Sequence, residues 1–207
     1  MSADLTFYTN PQSRGRIARW MLEETGVPYE TVVLDYVSTM KAQDYLAVNP
    51  MGKVPAIVHN GKVVTEGAAI CAYLADAFPE AGLAPPPAER GDYYRWMFFA
   101  AGPVEAAITN RSLGWDAPAD KHAMVGYGSF DETIDALERA VKDRPYITGD
   151  HFSAADVYVG SHVSWGLMFK SIPERPAFTE YAARLHDRPA YKRAAEIDDA
   201  AMAKQDA

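Results

Sequence analysis

The sequence predicts a small α/β domain followed by a domain built only of helices. Over about the first 78 residues, short β-branched segments alternate with helical ones in the order β-α-β-α-β-β-α. The proline-rich stretch at 79–90 has the composition of a linker, because proline keeps a chain extended and stiff. Beyond it the apolar residues recur at helical spacing. We therefore expect domains at 1–78 and 91–207, with a linker at 79–90.

The composition is that of an ordinary globular protein. Of its 207 residues, 48% are hydrophobic and 23% charged. The net charge of -8 argues against binding to nucleic acid or to an anionic membrane, because both need basic patches. The single cysteine, Cys71, rules out an internal disulfide and favours a reducing compartment. Since the sequence also lacks a signal peptide and a membrane-spanning apolar run, we expect a cytoplasmic protein.

The first domain begins with a strand at 5–8, a turn and a helix at 13–25 that Gly26 ends. A strand at 29–34 and a short helix at 41–46 follow. Together with the hairpin and helix described next, this is the thioredoxin-like order. A Cys-x-x-Cys motif is missing, so a dithiol mechanism is excluded. Helical periodicity places three apolar side chains of the first helix inward, Ile17, Trp20 and Met21. It places three charged side chains outward, Arg16, Arg19 and Glu23.

A hairpin at 54–65 is the most informative stretch of the chain. Residues 54–58 are predicted to form a strand with Pro55 near its start. Because proline cannot donate to a ladder, the backbone of Val54 is left without a neighbouring strand. Asn60-Gly61 predicts a two-residue turn, and residues 62–65 form the returning strand.

A helix is expected directly after this hairpin, beginning at Glu66 and Gly67 with Thr65 as its N-cap. Its free N–H groups attract a carboxylate, and Val54 beside them can pair with a peptide main chain as an added strand would. Glu66 can accept a hydrogen bond from an ammonium group, and the Gly67 N–H can hold a carboxylate. The stretch therefore predicts a site for an extended, anionic, peptide-like ligand, with an ordinary hairpin and helix as the alternative.

Residues 49–55 and 65–74 together resemble the glutathione-binding core of the soluble glutathione transferases. The resemblance implies that Pro55 is cis and that Val54 pairs with the cysteinyl backbone of glutathione. The family usually carries serine after the acidic residue, where this chain has Gly67. One hydrogen bond to the γ-glutamyl carboxylate is then lost, so we expect weaker binding.

Two lysines, Lys41 and Lys53, lie where members of this family often place cations near the glycyl carboxylate of glutathione. For each of them, an exposed lysine without a specific role is the alternative.

A second motif lies in the helical half of the chain. Ser153-x-x-Asp156 is a capping box, in which the carboxylate reaches back to the serine. The surrounding stretch, 145–157, is similar to the transferase signature L-x-G-x-x-x-[ST]-x-A-D, which caps a buried helix. Asp156 is therefore expected to be a folding residue. The resemblance implies a glutathione transferase fold, with a thioredoxin-like N-terminal domain and an all-helical C-terminal domain.

The implied co-substrate is glutathione, without a metal, and the implied reaction is attack of its thiolate on an electrophile. A free thiol has a pKa of about 8.5, which a hydroxyl donor or a helix N-terminus can lower. Three residues around the first turn are candidate donors. Ser13 heads the predicted helix as in the serine-type classes, or is a plain N-cap. Tyr8 falls where the tyrosine-type classes keep their tyrosine, or simply ends a strand. Asn10 lies in a turn that resembles the corresponding turn of a bacterial group of transferases, which favours disulfide chemistry. We choose Ser13 first.

The electrophile pocket is expected between the domains and lined by aromatic side chains, which at helical spacing could instead be core. The candidates are Tyr94, Phe98, Trp115, Trp165 and Phe169, with Tyr127 and Met168 beside them.

The leading hypothesis is a homodimeric detoxification enzyme that conjugates glutathione to small hydrophobic electrophiles. One alternative is a glutathione-dependent reductase of disulfides or peroxides that uses the Asn10 turn. The other is a non-catalytic module that stores hydrophobic ligands or binds a protein partner.

Overall fold

A mixed sheet organises the first part of the chain in the computed structural model, which describes residues 4–205. Its strands are β1 (Leu5–Thr9), β2 (Glu30–Val33), β3 (Ala56–His59) and β4 (Lys62–Thr65), in the spatial order β2-β1-β3-β4. β1 pairs in parallel with β2 and antiparallel with β3, which pairs antiparallel with β4. A parallel pair needs a crossover, and the helix between β1 and β2 provides it. The predicted thioredoxin-like order is confirmed.

Three helices accompany this sheet: α1 (Gly15–Thr25), α2 (Gln43–Leu46) and α3 (Gly67–Ala77). α1 ends at Gly26 as predicted, with a left-handed φ of 68° that favours glycine. The prediction for its beginning was wrong. The Ser13 N–H bonds the Asn10 carbonyl in a turn that follows β1, so Arg14 becomes the N-cap and the helix begins two residues later than expected.

The two faces of β1 serve different cores, because successive side chains of a strand point to opposite sides. Phe7 is fully buried on one face, together with Ile17 and Met21 of α1. Tyr8 packs on the other face against a cluster under α2. The buried members of this α2-side cluster are Leu34, Met40, Tyr45 and Ala56, and Val48 and Val54 also pack against it.

The last helix, α9 (Pro189–Gln205), packs along α1, and this contact makes one prediction wrong. Arg19 was expected to point outward, but only 2% of it is exposed. Its Nε donates to the carboxylate of Asp198 on α9 at 3.0 Å. By packing, the first unit of the chain comprises residues up to Leu83 together with those from Asp187 onward. The expected division had placed all of 91–207 in the helical domain.

The second unit, Ala84–His186, consists of helices joined by turns. These are α4 (Gly91–Phe99), α5 (Glu105–Ser112), α6 (Phe130–Val141), α7 (Ala154–Met168) and α8 (Pro176–His186). α4 continues into α5 through a π-helical segment at Ala100–Val104, which accommodates a proline. The all-helical character predicted for this region is confirmed. Among the described residues, no helix combines the length and apolar character needed to cross a membrane.

Asp156 fixes the beginning of α7 in the way that the capping motif predicted. Its carboxylate accepts the Ser153 N–H at 2.9 Å, the Ile147 N–H at 2.7 Å and the Tyr181 hydroxyl at 2.8 Å. Burial raises the pKa of Asp156 to about 6, although these hydrogen bonds oppose the rise. Its contacts are those of a folding residue.

Candidate functional site

The Val54-Pro55 peptide bond is cis, as the resemblance implied. The paired part of β3 begins only at Ala56, opposite Thr65, so the strand begins two residues later than predicted. Within residues 4–205, neither the N–H nor the C=O of Val54 has a hydrogen-bond partner. The predicted unpaired backbone at Val54 is confirmed.

The peptide before Val54 is held by two side chains that donate to one oxygen. The Lys53 carbonyl accepts the Tyr45 hydroxyl at 2.6 Å and the Asn49 Nδ2 at 2.7 Å. Asn49 also accepts the Met51 N–H at 3.1 Å, which closes the turn between them. The orientation of the unpaired residue is thus set by side chains and not by a sheet neighbour.

Lys41 and Lys53, the predicted cations, differ in their surroundings. The side chain of Lys53 is exposed. The Lys41 ammonium instead donates to the Gly52 carbonyl at 2.7 Å, so it holds the loop before Val54. Gly52 has a φ of +56°, and a Cβ there would lie 2.7 Å from the Met40 carbonyl oxygen, so this close approach requires glycine.

The beginning of α3 presents N–H groups that lack helical acceptors. The first helical bond runs from the Ile70 N–H to the Glu66 carbonyl at 2.9 Å, so the N–H groups of residues 67–69 lie outside the ladder. The prediction that Thr65 caps this helix was wrong, because Thr65 is still paired within β4. Glu66 is the N-cap, with a φ of 65° that is costly for a residue other than glycine, and its side chain makes no cap hydrogen bond.

Asn10 and Ser13 lie in the turn between β1 and α1, where both side chains bond the backbone. Asn10 is buried; its Nδ2 donates to the Leu34 carbonyl at 2.8 Å, and its Oδ1 accepts the Gln12 N–H at 2.9 Å. The Ser13 hydroxyl donates to the Asn10 carbonyl at 2.6 Å and accepts the Gly15 N–H at 2.9 Å. Because a hydroxyl has one proton to donate, the Ser13 proton is already engaged.

Tyr8 differs from these two candidates in having a hydroxyl without a partner among residues 4–205. Its ring packs on that of Tyr45, with centroids 5.4 Å apart. Tyr8 is paired with Ala56 in the sheet, two residues beyond Val54, and both Tyr8 and Val54 pack on the α2-side cluster. The structure therefore brings Tyr8 and the unpaired backbone of Val54 to the same end of the sheet.

The five aromatic residues predicted to line an electrophile pocket all lie in the second unit. Tyr94 is 41% exposed, Trp115 66%, and Phe98 and Phe169 70% each, which is inconsistent with a role in the core. Trp165 is half-buried. Large apolar side chains exposed to this degree are available to bind a ligand or a partner.

Cys71 lies fully buried in α3, where desolvation raises the pKa of its thiol, as expected for an inert cysteine. Within the described range, no group of three or more His, Cys, Asp or Glu side chains is arranged so that it could hold a metal ion.

Sequence reasoning missed Asn49 and Tyr45 as residues of this site. The signal for Asn49 was its place before Pro50 in the motif at 49–55. Tyr45 had no signal beyond its place in the predicted helix at 41–46, because its hydroxyl contact with the Lys53 carbonyl depends on how the later loop folds back.

Comparison with protein families gives two matches that together cover both halves of the chain. The model of the glutathione S-transferase N-terminal domain matches residues 3–76, and that of the C-terminal domain matches residues 98–165. Glutathione S-transferase 3 of Zea mays is 30% identical over 200 residues, covering 89% of this chain and 86% of the maize protein. Glutathione S-transferase GstA of Escherichia coli O157:H7 is 28% identical over 189 residues, covering 88% of this chain and 90% of its own.

Solved structures show the same similarity. A glutathione transferase from Methylococcus capsulatus has a TM-score of 0.78 at 28% identity, and the match covers 94% of this chain and 98% of that one. A sphingomonad glutathione S-transferase, solved in complex with glutathione, has a TM-score of 0.76 at 28% identity, with the same coverage of 94% and 98%.

Proposed function

Because this chain belongs to the glutathione S-transferase family, we propose that it binds glutathione at Val54 and α3 and transfers it to small hydrophobic electrophiles. The observation that carries the proposal is that the unpaired backbone of Val54 and the open N-terminus of α3 lie at the same end of the β3–β4 pair, where Ala56 is paired with Thr65. The backbone of Val54 can donate and accept main-chain hydrogen bonds, as an added strand requires, and the N-terminus of α3 favours a carboxylate. Glutathione supplies both groups in one extended molecule.

Each part of glutathione has a matching group in this arrangement. The cysteinyl N–H and C=O pair with Val54, and the γ-glutamyl carboxylate accepts from the N–H groups of residues 67–69. Glu66 is exposed at this point and can accept from the γ-glutamyl ammonium. For the glycyl carboxylate we propose Lys53, since the ammonium of Lys41 is engaged with the loop carbonyl.

We further propose that Tyr8 donates to the glutathione thiolate, which reverses the preference for Ser13 drawn from the sequence. Ser13 must break a 2.6 Å hydrogen bond to donate elsewhere, whereas the Tyr8 hydroxyl has no bond to break. Asn10 is committed to two backbone partners, so nothing in its geometry favours the reductase alternative. A donor that stabilises the thiolate lowers the thiol pKa and raises the nucleophile concentration at neutral pH.

The aromatic side chains of the second unit are proposed to hold the electrophile. The family also supports a homodimer and a cytoplasmic location. Light scattering on a sizing column tests the dimer, for which the expected mass is twice 22.8 kDa.

Single substitutions at Tyr8 and Ser13 test the choice of donor. Turnover of a chlorodinitrobenzene at saturating glutathione should fall about 10- to 100-fold in Tyr8→Phe. Loss of the donor raises the pKa of the bound thiol, and at a pH below that pKa each unit of the rise lowers the thiolate concentration tenfold. Ser13→Ala should stay within about threefold of the unmodified protein. The opposite pattern would assign the donor to Ser13, and no change in either variant would remove both assignments.

A further inference from the structure

One side chain, Tyr45, contacts both halves of the proposed glutathione site. It lies on α2, is 4% exposed and belongs to the α2-side cluster. Its hydroxyl donates to the Lys53 carbonyl at 2.6 Å, and its ring packs on the ring of Tyr8 at 5.4 Å between centroids, tilted by 41°. The backbone that is proposed to hold glutathione and the proposed thiol donor therefore share this neighbour.

The hydroxyl contact acts on Val54 through the geometry of a single peptide group. The Lys53 C=O and the Val54 N–H belong to the same planar unit and point in opposite directions when the bond is trans. Fixing the carbonyl with two donors, Tyr45 and Asn49, therefore also fixes the direction of the Val54 N–H. A carbonyl that accepts strong hydrogen bonds also polarises its peptide, which makes the N–H a better donor.

The ring contact acts on Tyr8. A tyrosine side chain has two rotatable bonds before its hydroxyl, so the ring must be held by neighbours for the hydroxyl to keep one position. On its α2-facing side Tyr8 packs on the cluster around Tyr45. Burial raises the pKa of Tyr45 to about 12, so its own hydroxyl stays a proton donor over the working pH range.

We propose that Tyr45 is a positioning residue for glutathione transfer, which directs the Val54 N–H through its hydroxyl and holds Tyr8 through its ring. The inference rests on the proposed function of the Val54 site. It goes beyond that function in assigning glutathione binding and thiol activation to separate parts of one buried side chain.

Two substitutions separate these parts. Tyr45→Phe removes the hydroxyl and keeps the ring, so the dissociation constant for glutathione should rise about 3- to 10-fold, as for one lost hydrogen bond, while the bound-thiol pKa stays unchanged. Tyr45→Leu removes both. The same rise in the dissociation constant should then be joined by a higher bound-thiol pKa and a turnover at least tenfold lower. Calorimetry measures the first quantity and thiolate absorbance the second.

Tyr29→Phe is the matched control. Tyr29 is a half-buried tyrosine of the first unit, and its hydroxyl donates to Glu23 at 2.6 Å and accepts from Arg19 at 3.1 Å, away from the proposed site. It should lose thermal stability as Tyr45→Phe does, with no change in glutathione affinity. The proposal fails if Tyr45→Phe binds glutathione within twofold of the unmodified protein, or if Tyr29→Phe weakens binding equally.

The unmodified protein separates this failure from failure of the proposed function. If it binds glutathione and lowers the thiol pKa while Tyr45→Phe behaves identically, only the role of Tyr45 is wrong. If the unmodified protein does not bind glutathione, the proposed function and the role of Tyr45 fall together. Because Tyr45→Phe removes only one oxygen atom, the test of the hydroxyl contact stands even if Tyr45→Leu does not fold.

Discussion

Gly67 is the first residue of α3, at the position where the resemblance to the family implies a serine. A serine hydroxyl there adds a donor beside the N–H groups that are proposed to hold the γ-glutamyl carboxylate. A hydrogen bond to a charged group contributes about 1.5 kcal/mol or more, so Gly67→Ser should lower the dissociation constant for glutathione about tenfold. Calorimetric titration with glutathione measures the change.

Gly91→Ser is the control for this gain. Gly91 is the first residue of α4, and a Cβ there meets no atom within 4 Å, so the change repeats the helix position without the site. It should leave glutathione affinity unchanged. Equal gains in both variants, or none in Gly67→Ser, would contradict the placement of the carboxylate at α3.

Some residues of the site were predictable because their signals are local. Pro55 and the Asn60-Gly61 turn restrict the backbone by their own chemistry, and the turn residues adopt the positive φ values of 50° and 76° that such a turn needs. Ser13 was misplaced for the opposite reason. Whether a hydroxyl caps a helix or bonds a turn carbonyl depends on where the chain bends, and the sequence permits both.

At the scale of elements, the packing of α9 on α1 contains a buried ion pair. Arg19 and Asp198 form a buried ion pair with exposures of 2% and 1%. Removing one partner of a buried pair leaves an uncompensated charge, at a cost of about 3–5 kcal/mol. Arg19→Met should therefore lower the free energy of unfolding by that amount, measured by denaturant titration.

An exposed pair between the same helices provides the comparison. Arg193 on α9 donates to Glu23 on α1 at 3.2 Å, with 51% of its side chain exposed. Solvent screens this contact, so Arg193→Gln should cost less than about 1 kcal/mol. Similar losses in the two variants would show that burial of the Arg19 pair does not determine the stability of this contact.

The capping carboxylate of α7 gives stability a pH dependence of unusual sign. The pKa of Asp156 rises from 3.8 to about 6 on folding, so the folded state holds this proton more tightly than the unfolded state. The contribution of protonated Asp156 to the free energy of unfolding is therefore complete below about pH 4. It is lost as the pH rises through about 6, which is a change of up to about 3 kcal/mol.

Asp156→Asn isolates this contribution from those of the other carboxylates. The free energy of unfolding of the unmodified protein minus that of the variant should fall between pH 4 and pH 6. Denaturant titrations at a series of pH values measure it. A difference that rises over this range would mean that the hydrogen bonds to Asp156 outweigh its burial and that its pKa is lowered.

At the scale of the whole molecule, the order of the elements was predicted correctly, but the unit to which the last helix belongs was not. The predicted helical domain included α9, which packs in the first unit. Alternating periodicities identify strands and helices from neighbours in sequence, which is local information. The packing of α9 on α1 joins residues about 180 positions apart, as in the contact of Arg19 with Asp198. A charged residue on an otherwise polar helix face gives no sign that a distant helix will cover it.

The central claim is that the end of the sheet near Val54 and Tyr8 both binds glutathione and activates its thiol. Thiolate absorbance, titrated against pH with glutathione bound to the unmodified protein, tests it most directly. We expect the thiolate to appear well below the pKa of about 8.5 of a free thiol. A titration identical to that of free glutathione would contradict it, and would leave a protein of this family that binds glutathione without activating it.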